Sequence, residues 1–314
     1  LSFNTNVLRY QFSSLITPQS TFDYDMDMKV STLLKQSEVV GGHDPADYHS
    51  ERLYAKVRDG KKVPISIVYK KGFKKNGQGN LLLYAYGSYG STNDPSFSST
   101  RLSILDRGFA YAIAHIRGSQ TYGRPWYEDG KMFNKMNTFT DFVDCSKYLI
   151  QNNYTGPGHL FAMGGSAGGL LMGAVVNLAP ELYRGVIAAV PFVDVINTML
   201  DASIPLTSNE WDEWGDPRKK DEYDYMMTYS PYDNVYNADY PNMLVTAGYF
   251  DSQVQYWEPV KWVAKLRDYK VGENILYLHT NMDAGHGGKS GRFRRYKESA
   301  LKYAFILDLA GIKY

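Results

Sequence analysis

Ser166 stands in the run Gly164-Gly165-Ser166-Ala167-Gly168-Gly169, which contains the pattern G-x-S-x-G. A short apolar stretch precedes this run and a stretch that opens with small residues follows it, so the serine is predicted to lie on a sharp strand-to-helix turn. Glycines two residues to either side allow neighbouring backbone segments to approach without a Cβ clash. We therefore predict that Ser166 is a catalytic nucleophile and that the N–H of Ala167, at the helix start, stabilises an oxyanion.

A serine hydroxyl becomes a good nucleophile only when a base removes its proton, and hydrolases of this type carry their triad in the order serine, acid, histidine. Two histidines follow Ser166 in the chain. His279 ends an apolar, strand-like run, where packing explains it, whereas His286 lies in a glycine-rich loop before the last predicted helix. We predict that His286 is the base. The histidines that precede the serine are out of order: His43, His49, His115 and His159.

An acidic residue must hold the imidazole in the correct tautomer and stabilise the imidazolium that forms during proton transfer. Asp251 comes just after the apolar run Met243-Leu244-Val245-Thr246-Ala247-Gly248, which is predicted to be the strand before the one that leads to His286. Asp283 is the alternative, because it lies three residues before the histidine. We favour Asp251, since a residue so close in sequence is oriented by the loop and does not face the ring from a neighbouring strand.

The elements that would position these residues begin with β-rich runs and then alternate between strands and helices. This pattern is typical of a mostly parallel, doubly wound sheet, and it predicts an α/β-hydrolase fold. Residues 197–239 are less regular and would lie above the strand ends, where open α/β sheets bind ligands. The predicted helices cover residues 138–151, 167–177, 258–269 and 291–309, and the predicted strands cover residues 52–57, 63–70, 81–86, 110–116, 159–163, 185–190, 243–247 and 274–279.

The composition is that of an ordinary globular protein with balanced charge. The 314 residues include 34 Lys and Arg against 33 Asp and Glu, a formal net charge of +1, so no overall field attracts nucleic acid or an anionic membrane. No apolar run approaches the roughly 18 residues that a membrane-spanning helix needs. The single cysteine, Cys145, agrees with a reducing compartment. We predict a cytoplasmic enzyme without metal or cofactor, since no H-E-x-x-H or similar ligand pattern occurs.

Further segments carry a resemblance to a known family. They include Tyr84-Ala85-Tyr86-Gly87-Ser88-Tyr89-Gly90, Val190-Pro191-Phe192-Val193-Asp194, Glu213-Trp214-Gly215, Tyr229-Ser230-Pro231-Tyr232-Asp233-Asn234-Val235 and Gly285-His286-Gly287-Gly288-Lys289-Ser290-Gly291. Together with the motifs above, they resemble the prolyl oligopeptidase family, and within it the oligopeptidase B members, which cut after Arg and Lys. The resemblance implies a serine endopeptidase that hydrolyses short peptides through an acyl-enzyme.

The same resemblance implies two parts in the chain. Residues 41–314 would form the catalytic domain. Residues 1–40, whose alternating apolar and polar residues around Pro18 predict a β-hairpin, would be the last piece of a β-propeller. In the full-length protein such a propeller would precede the catalytic domain and admit only short peptides to the site.

The resemblance also assigns roles to residues that the chemistry alone does not single out. It implies that the Tyr86 hydroxyl donates to the oxyanion beside the Ala167 N–H, and that Tyr89 lines the pocket for the residue before the cleaved bond. In proline-cutting relatives a tryptophan forms the floor of this pocket, and Glu210 takes that place here. A buried carboxylate walled by Tyr89 and Trp214 suits a guanidinium, which it can bind in bidentate fashion.

Several positions depart from the oligopeptidase B pattern. Asp212 stands where a second glutamate is usual, and of two aspartates expected in the next substrate pocket the chain keeps Asp94 but has Ser96 at the other position. The preference for two consecutive basic residues is therefore open. Gln253 replaces an arginine of the proline-cutting relatives. Three alternatives also stay open: a solvated acidic helix end at residues 210–213, an aminopeptidase or esterase on the same fold, and a hydrolase-like binding module without activity.

Overall fold

The computed structural model describes residues 3–313 and contains two β-sheets. One is a mixed eight-stranded sheet, and the other is a three-stranded antiparallel sheet at the start of the chain. Helices pack on the larger sheet in the predicted α/β-hydrolase architecture. Leu1 and Ser2, which open the predicted hairpin segment, and Tyr314 lie outside the described residues, as does the side chain of Arg292.

The helices and strands have the following bounds. The strands are β1 (Val7–Phe12), β2 (Ser20–Asp25), β3 (Val30–Gln36), β4 (Tyr48–Lys56), β5 (Lys62–Lys70), β6 (Leu81–Tyr84), β7 (Ala110–Ala114), β8 (Leu160–Gly165), β9 (Gly185–Ala189), β10 (Asn242–Gly248) and β11 (Leu276–Asn281). The helices are α1 (Ser99–Leu105), α2 (Arg124–Glu128), α3 (Met136–Gln151), α4 (Ala167–Leu178), α5 (Val195–Leu200), α6 (Thr207–Trp214), α7 (Lys220–Met227), α8 (Trp257–Tyr269) and α9 (Arg292–Leu309). Short 3-10 turns cover Pro45–Asp47, Met132–Asn134 and Pro180–Leu182.

The larger sheet has the strand order β11-β10-β9-β8-β6-β7-β5-β4. The strands from β11 to β7 in that order are all parallel, whereas β5 is antiparallel to β7 and β4 is antiparallel to β5. The carboxyl ends of β8, β10 and β11 therefore meet at one edge of the sheet. Open α/β sheets bind their ligands at this edge.

Both faces of the sheet are buried, and alternate residues of a strand enter different cores. On β6, Leu81 and Leu83 belong to the core that includes α3, α4 and α8, whereas Leu82 belongs to the core that includes α1 and α9. All three side chains are fully buried. A strand buried on both faces needs a nearly continuous apolar run, which is why the sequence pattern identified the parallel strands.

The small sheet contains one strand more than the predicted hairpin. β1 and β2 correspond to the two predicted segments, and β3 pairs antiparallel with β2 beyond them. Every residue of β3 is exposed, so no alternation of apolar and polar side chains marked it. The loop between β1 and β2 is bonded to later parts of the chain. Ser13 Oγ accepts from the Phe97 N–H at 3.1 Å, and the Ile16 carbonyl bonds the His43 ring at 2.7 Å.

The region predicted to be irregular, residues 197–239, contains α6, α7 and the end of α5. Thr198 and Thr207 from this region line the same cavity as Ser166, so the insertion covers the strand ends as expected. No helix among residues 3–313 combines the length and the apolar character that crossing a membrane requires. Within the same residues, no group of three or more His, Cys, Asp and Glu side chains is arranged to hold a metal ion.

Candidate active site

Ser166 lies between β8 and α4, on the turn that the glycine pattern predicted. Its φ of 58° is in the left-handed region, which residues other than glycine rarely adopt. Its N–H donates to the Ala189 carbonyl at 2.8 Å, which fixes the turn against β9. A Cβ on Gly164 would lie 2.1 Å from the Gly168 carbonyl oxygen, so glycine is a steric requirement at that position. The tight turn presents the serine at the N-terminus of α4.

His286 bridges Ser166 and Asp251. Its Nε2 is 2.9 Å from Ser166 Oγ, and its Nδ1 is 2.8 Å from Asp251 Oδ2. Because an ionised carboxylate can only accept, Nδ1 carries the proton and Nε2 can accept the serine proton. Asp251 is 4% exposed, and its Oδ1 accepts from the N–H groups of Gln253 and Val254, both at 2.9 Å. The structure thus brings the three predicted residues together in the order that proton transfer needs.

Asp283, the alternative acid, has a different partner from His286. Its carboxylate pairs with Lys289 Nζ at 3.0 Å, and its side chain is 77% exposed. Asp251 reaches His286 because it follows β10, which pairs with β11, and the histidine lies in the loop after β11. Which aspartate bonds His286 is therefore determined by the pairing of neighbouring strands and not by closeness in sequence.

A cavity of about 210 Å³ opens beside Ser166. It is smaller than the roughly 300–1,000 Å³ typical of sites for drug-sized ligands, and it suits a single amino-acid side chain. Its wall combines apolar and polar side chains, and Glu210 is the charged residue among those that line it. The residues that line it are Tyr86, Tyr89, Ser166, Ala167, Phe192, Thr198, Met199, Ile204, Leu206, Thr207, Glu210, Gln253 and Val254.

Tyr86 and Ala167, the predicted oxyanion donors, both line this cavity beside Ser166. Burial raises the pKa of Tyr86 to about 12, and the nearby Ser166 hydroxyl partly offsets the effect. The phenol therefore stays protonated at neutral pH and can donate a hydrogen bond. Ala167 is the first residue of α4, so its N–H belongs to the helix turn whose donors have no partner inside the helix.

Glu210 accepts both of its hydrogen bonds on one oxygen. Its Oε2 accepts from the Tyr89 hydroxyl at 2.6 Å and from Trp214 Nε1 at 2.9 Å. Trp214 is 1% exposed and meets the Tyr89 ring edge-on, with ring centroids 5.6 Å apart. Neither bond uses Oε1, so this oxygen can accept from a ligand in the cavity.

Asp212, Asp94 and Ser96 are not brought to the cavity. Asp212 is exposed on α6, two residues from Glu210, and successive helical residues point about 100° apart, so the two side chains face opposite ways. Asp94 and Ser96 are exposed in the loop before α1. Trp214 supports the pocket from behind without lining it. Of the predicted substrate contacts, the structure therefore joins Glu210 and the Tyr89 ring to the serine and leaves the acidic residues at positions 94 and 212 at the surface.

Two buried charged residues next to the segment that carries Tyr86 and Tyr89 were given no role from the sequence. Glu213 is 4% exposed and accepts from the Tyr89 N–H at 2.8 Å and from the Tyr127 hydroxyl. Lys135 is fully buried and donates to the Gly87 carbonyl at 2.7 Å. Glu213 lies in a segment that carried the family resemblance, which was a usable signal. Lys135 contacts a residue 48 positions away, so no local pattern marks it.

A second serine–histidine pair lies inside the large sheet. Ser66 Oγ on β5 is 2.8 Å from Nε2 of His115, the first residue after β7. Each residue is 3% exposed, and His115 Nδ1 has no hydrogen-bond partner within residues 3–313. Burial, with a smaller effect of Arg52, lowers the pKa of His115 to about 4. This pair is part of the core, where a substrate has no access.

This chain is similar to known proteins in sequence and in fold. Residues 95–313 match the sequence profile of the prolyl oligopeptidase family. The chain is 54% identical to dipeptidyl aminopeptidase BI of Pseudoxanthomonas mexicana, over 98% of this chain and 43% of that protein. It is 53% identical to protease 2 of Moraxella lacunata, over 99% of this chain and 45% of that protein. It superposes on oligopeptidase B from Leishmania major with a TM-score of 0.94 and 45% identity, over 99% of this chain and 43% of that one.

The sheet, the strained turn and the hydrogen-bonded serine, histidine and aspartate are the features of a serine hydrolase with the α/β-hydrolase fold. The chain belongs to the prolyl oligopeptidase family, a family of serine peptidases, as the profile match and both relatives show. The family assignment made from the sequence segments, including the likeness to oligopeptidase B, is confirmed. The chain spans less than half the length of the relatives that it matches.

Proposed function

We propose that this chain is the catalytic part of a serine endopeptidase that hydrolyses short peptides after Arg or Lys. The observation that carries the proposal is the shared position of Ser166 and Glu210. A serine bonded to a histidine–aspartate pair and a carboxylate that suits a positive side chain line one cavity. Ser166 and Glu210 would therefore act on the same substrate residue. The family of the chain supports peptide bonds as the target.

The inferred reaction proceeds through an acyl-enzyme. His286 Nε2 removes the Ser166 proton as Oγ attacks the peptide carbonyl, and Asp251 stabilises the imidazolium that forms. The carbonyl oxygen becomes negatively charged and accepts from the Ala167 N–H and the Tyr86 hydroxyl. His286 then protonates the leaving amine. Water hydrolyses the acyl-enzyme, with His286 again acting as base.

Glu210 supports a preference for Arg, then Lys, on the acyl side of the cleaved bond. A carboxylate that a substrate removes from water must be paired to be tolerated there. A guanidinium pairs in bidentate fashion, an ammonium pairs as a point charge, and a proline ring leaves the carboxylate unpaired. Asp212 and Asp94 lie outside the cavity, so we infer that each contributes less to recognition than Glu210 does.

A second candidate is release of dipeptides from the amino end of peptides. It is favoured by the name of the relative that is 54% identical, dipeptidyl aminopeptidase BI. The two reactions share nucleophile and cavity, and they differ in whether a free α-amine must lie two residues before the cleaved bond. Fluorogenic Ala-Arg substrates with a free and with an acetylated amino end distinguish them, because an endopeptidase cleaves both and an aminopeptidase cleaves the free form alone.

We further propose that a β-propeller precedes this chain in the full-length protein and that the protein is cytoplasmic. Relatives more than twice as long, of which the chain covers 43% and 45%, support the first proposal, as do exposed apolar side chains on the small sheet such as Phe12 and Leu33. The lone, buried Cys145 supports the second. Immunoblots of cell fractions with an antibody to this chain measure the size of the full-length protein and show which compartment contains it.

A fluorophosphonate probe tests whether the chain is an enzyme or an inactive binding module. Only an activated serine reacts with the probe, so we expect one labelled residue, Ser166, and no label in Ser166→Ala. Label on another residue, or none on the folded wild-type protein, contradicts the proposed nucleophile.

Matched fluorogenic peptides that end in Arg, Lys, Pro and Ala test the specificity. Breaking a desolvated charge pair costs about 2–5 kcal/mol, so Glu210→Gln should lower kcat/KM for the Arg peptide by roughly thirtyfold to several thousandfold and spare a neutral ester. Asp212→Asn on the same helix is the matched control, with a smaller loss. A wild-type preference for Pro, or an equal loss on all four peptides in Glu210→Gln, would show the basic-pocket assignment to be wrong.

A further inference from the structure

Lys135 lies directly before α3, and none of its surface is exposed. Its amino group donates to the Gly87 carbonyl oxygen at 2.7 Å and to Ser88 Oγ at 2.8 Å. Both acceptors are neutral, and both belong to the segment that follows β6. This buried lysine therefore holds a short stretch of chain by hydrogen bonds to neutral groups.

Burial and two neighbouring rings act in opposite directions on the charge of Lys135. Its Nζ lies 5.0 Å from the ring centroid of Trp214 and 5.7 Å from that of Phe139, and aromatic ring faces attract a cation. Burial lowers the pKa of Lys135 to about 7, against the opposing effect of Glu213. A buried polar group is tolerated only when its hydrogen bonds are made. A neutral amine keeps two N–H groups, so either protonation state can donate to both acceptors.

The segment held by this lysine, residues 86–89, carries two groups of the proposed site. The Tyr86 hydroxyl lies near Ser166, and the Tyr89 hydroxyl donates to Glu210 at 2.6 Å. The oxyanion donor and a wall of the substrate pocket thus share one short segment. A shift of its backbone would displace both groups.

The conformation of the segment depends on contacts from outside it. Gly87 has a φ of 75° and Tyr89 a φ of 58°, and the tyrosine in the left-handed region needs its surroundings to hold it there. Lys135 bonds the Gly87 carbonyl, and Glu213 Oε1 accepts from the Tyr89 N–H at 2.8 Å. A Cβ on Gly87 would lie 2.6 Å from Thr138 Cγ2, so the segment also packs closely on α3.

We propose that Lys135 is a positioning residue for the oxyanion site, which acts by fixing residues 86–89 so that the Tyr86 hydroxyl meets the negative charge that develops on the substrate. Lys135 itself bonds the segment and acts on the reaction only through it. The proposal rests on the proposed role of Tyr86. Misplacing a group of an active site by about 1 Å lowers the rate roughly a hundredfold, which sets the scale of the expected effect.

The first test replaces the donor and keeps the length of the side chain. We expect Lys135→Met to lower kcat for an Arg peptide by roughly tenfold to a hundredfold, because the Tyr86 hydroxyl loses its position in the transition state. KM should change much less than kcat, because Glu213 still holds the Tyr89 end of the segment through the Tyr89 N–H. Rates are divided by the number of active sites titrated with a fluorophosphonate, so loss of folded protein does not enter kcat. Lys147→Met, on the exposed surface of α3, is the matched control and should leave kcat unchanged.

A double-mutant cycle separates positioning from a general structural effect. If Lys135 acts through Tyr86, then Lys135→Met should have almost no effect on kcat in a Tyr86→Phe background, because the hydroxyl that it positions is gone. Ser88→Ala, which removes one acceptor and leaves the lysine in place, should show the same dependence on Tyr86 with a smaller loss. If Lys135→Met does not fold, Ser88→Ala alone shows whether the contact with Lys135 acts through Tyr86.

The cycle also separates this proposal from the proposed reaction. No effect of Tyr86→Phe alone would remove the oxyanion role, and with it the reason for a positioning lysine. A large effect of Tyr86→Phe, together with an equal loss from Lys135→Met in both backgrounds, would leave the reaction intact and overturn the positioning role. A loss confined to KM would overturn it as well.

Discussion

The two serine–histidine pairs of this chain have nearly the same geometry and very different settings. Ser166 Oγ lies 2.9 Å from His286, and Ser66 Oγ lies 2.8 Å from His115. Distance alone would make both serines candidate nucleophiles. The comparison shows which further features separate the proposed catalytic pair from a hydrogen bond in the core.

Three features distinguish the pair at the strand ends from the pair in the sheet. His286 has Asp251 on its second nitrogen, whereas the second nitrogen of His115 has no partner within residues 3–313. Ser166 lines a cavity together with Tyr86 and Ala167, the proposed oxyanion donors, whereas Ser66 is enclosed by the sheet. Burial also keeps His115 neutral down to acidic pH. A histidine that resists protonation is a poor proton acceptor, so the buried pair lacks both the base and the access that catalysis requires.

The sharpest test of the comparison removes each serine in turn. Ser166→Ala should lower kcat/KM for an Arg peptide on the order of a millionfold, because members of a triad act as a unit. Ser66→Ala is its matched control and should leave kcat per titrated active site unchanged, although its stability falls because His115 loses a partner. Loss of turnover in folded Ser66→Ala would break the distinction.

The second test removes the acid that only one histidine possesses. Asp251→Asn keeps the shape of the side chain but lets it donate to Nδ1, so His286 adopts the wrong tautomer, and kcat should fall about ten-thousandfold. Measurement of kcat with an Arg ester and an Arg amide should give a loss on both. A loss below about tenfold would show that Asp251 is dispensable and that the histidine is oriented by another group.

The third test removes the proposed oxyanion donor, Tyr86, which has no counterpart at the buried pair. Tyr86→Phe should lower kcat by roughly a hundredfold to a thousandfold with little change in KM, because the hydroxyl meets charge that exists only in the transition state. Steady-state kinetics on one Arg peptide measure both constants. A change confined to KM would make Tyr86 a substrate-binding residue instead.

The smallest expected effect concerns the buried histidine and stability. The pKa of His115 is about 4 in the folded chain and near its ordinary value of 6.5 in the unfolded chain. Between these values the unfolded chain binds a proton that the folded chain does not, so acidification through this window favours unfolding. Between about pH 7 and about pH 4.5, the free energy of unfolding of the wild type should fall by roughly 2–3 kcal/mol more than that of His115→Gln. Urea unfolding at both pH values measures the difference, and equal losses in wild type and variant would contradict a buried neutral histidine.

The sequence predicted best those features that depend on adjacent residues. The turn of Ser166 needs glycine at Gly164 for steric reasons, and each parallel strand needs a continuous apolar run because both of its faces are buried. Strand β4 begins at Tyr48, four residues before the predicted start at residue 52. Several of its residues are exposed, so the apolar pattern there is weaker. Strand β3 was missed, because its residues are all exposed and show no alternation.

The substrate pocket could be predicted only in part, because its geometry depends on a helix that the sequence pattern did not reveal. On α6, Glu210, Glu213 and Trp214 are spaced i, i+3 and i+4 and share one face. Asp212 falls on the other face and does not line the cavity, so its part in substrate binding, inferred from likeness to a family pattern, stays a prediction. Lys135 could not be found at all, since its partners are brought to it by the fold of the whole sheet.

Residues with left-handed backbone have a consequence for efforts to engineer this protein for heat resistance. Ser166, Tyr89 and Val190 hold φ values of 58°, 58° and 42°, a conformation that costs on the order of 1–3 kcal/mol for a residue with a side chain and almost nothing for glycine. A library screened only for survival of the fold will therefore accumulate glycine at these positions, including Ser166, the proposed nucleophile itself. Such a screen would select well-folded, inactive protein, so turnover has to be scored in every round.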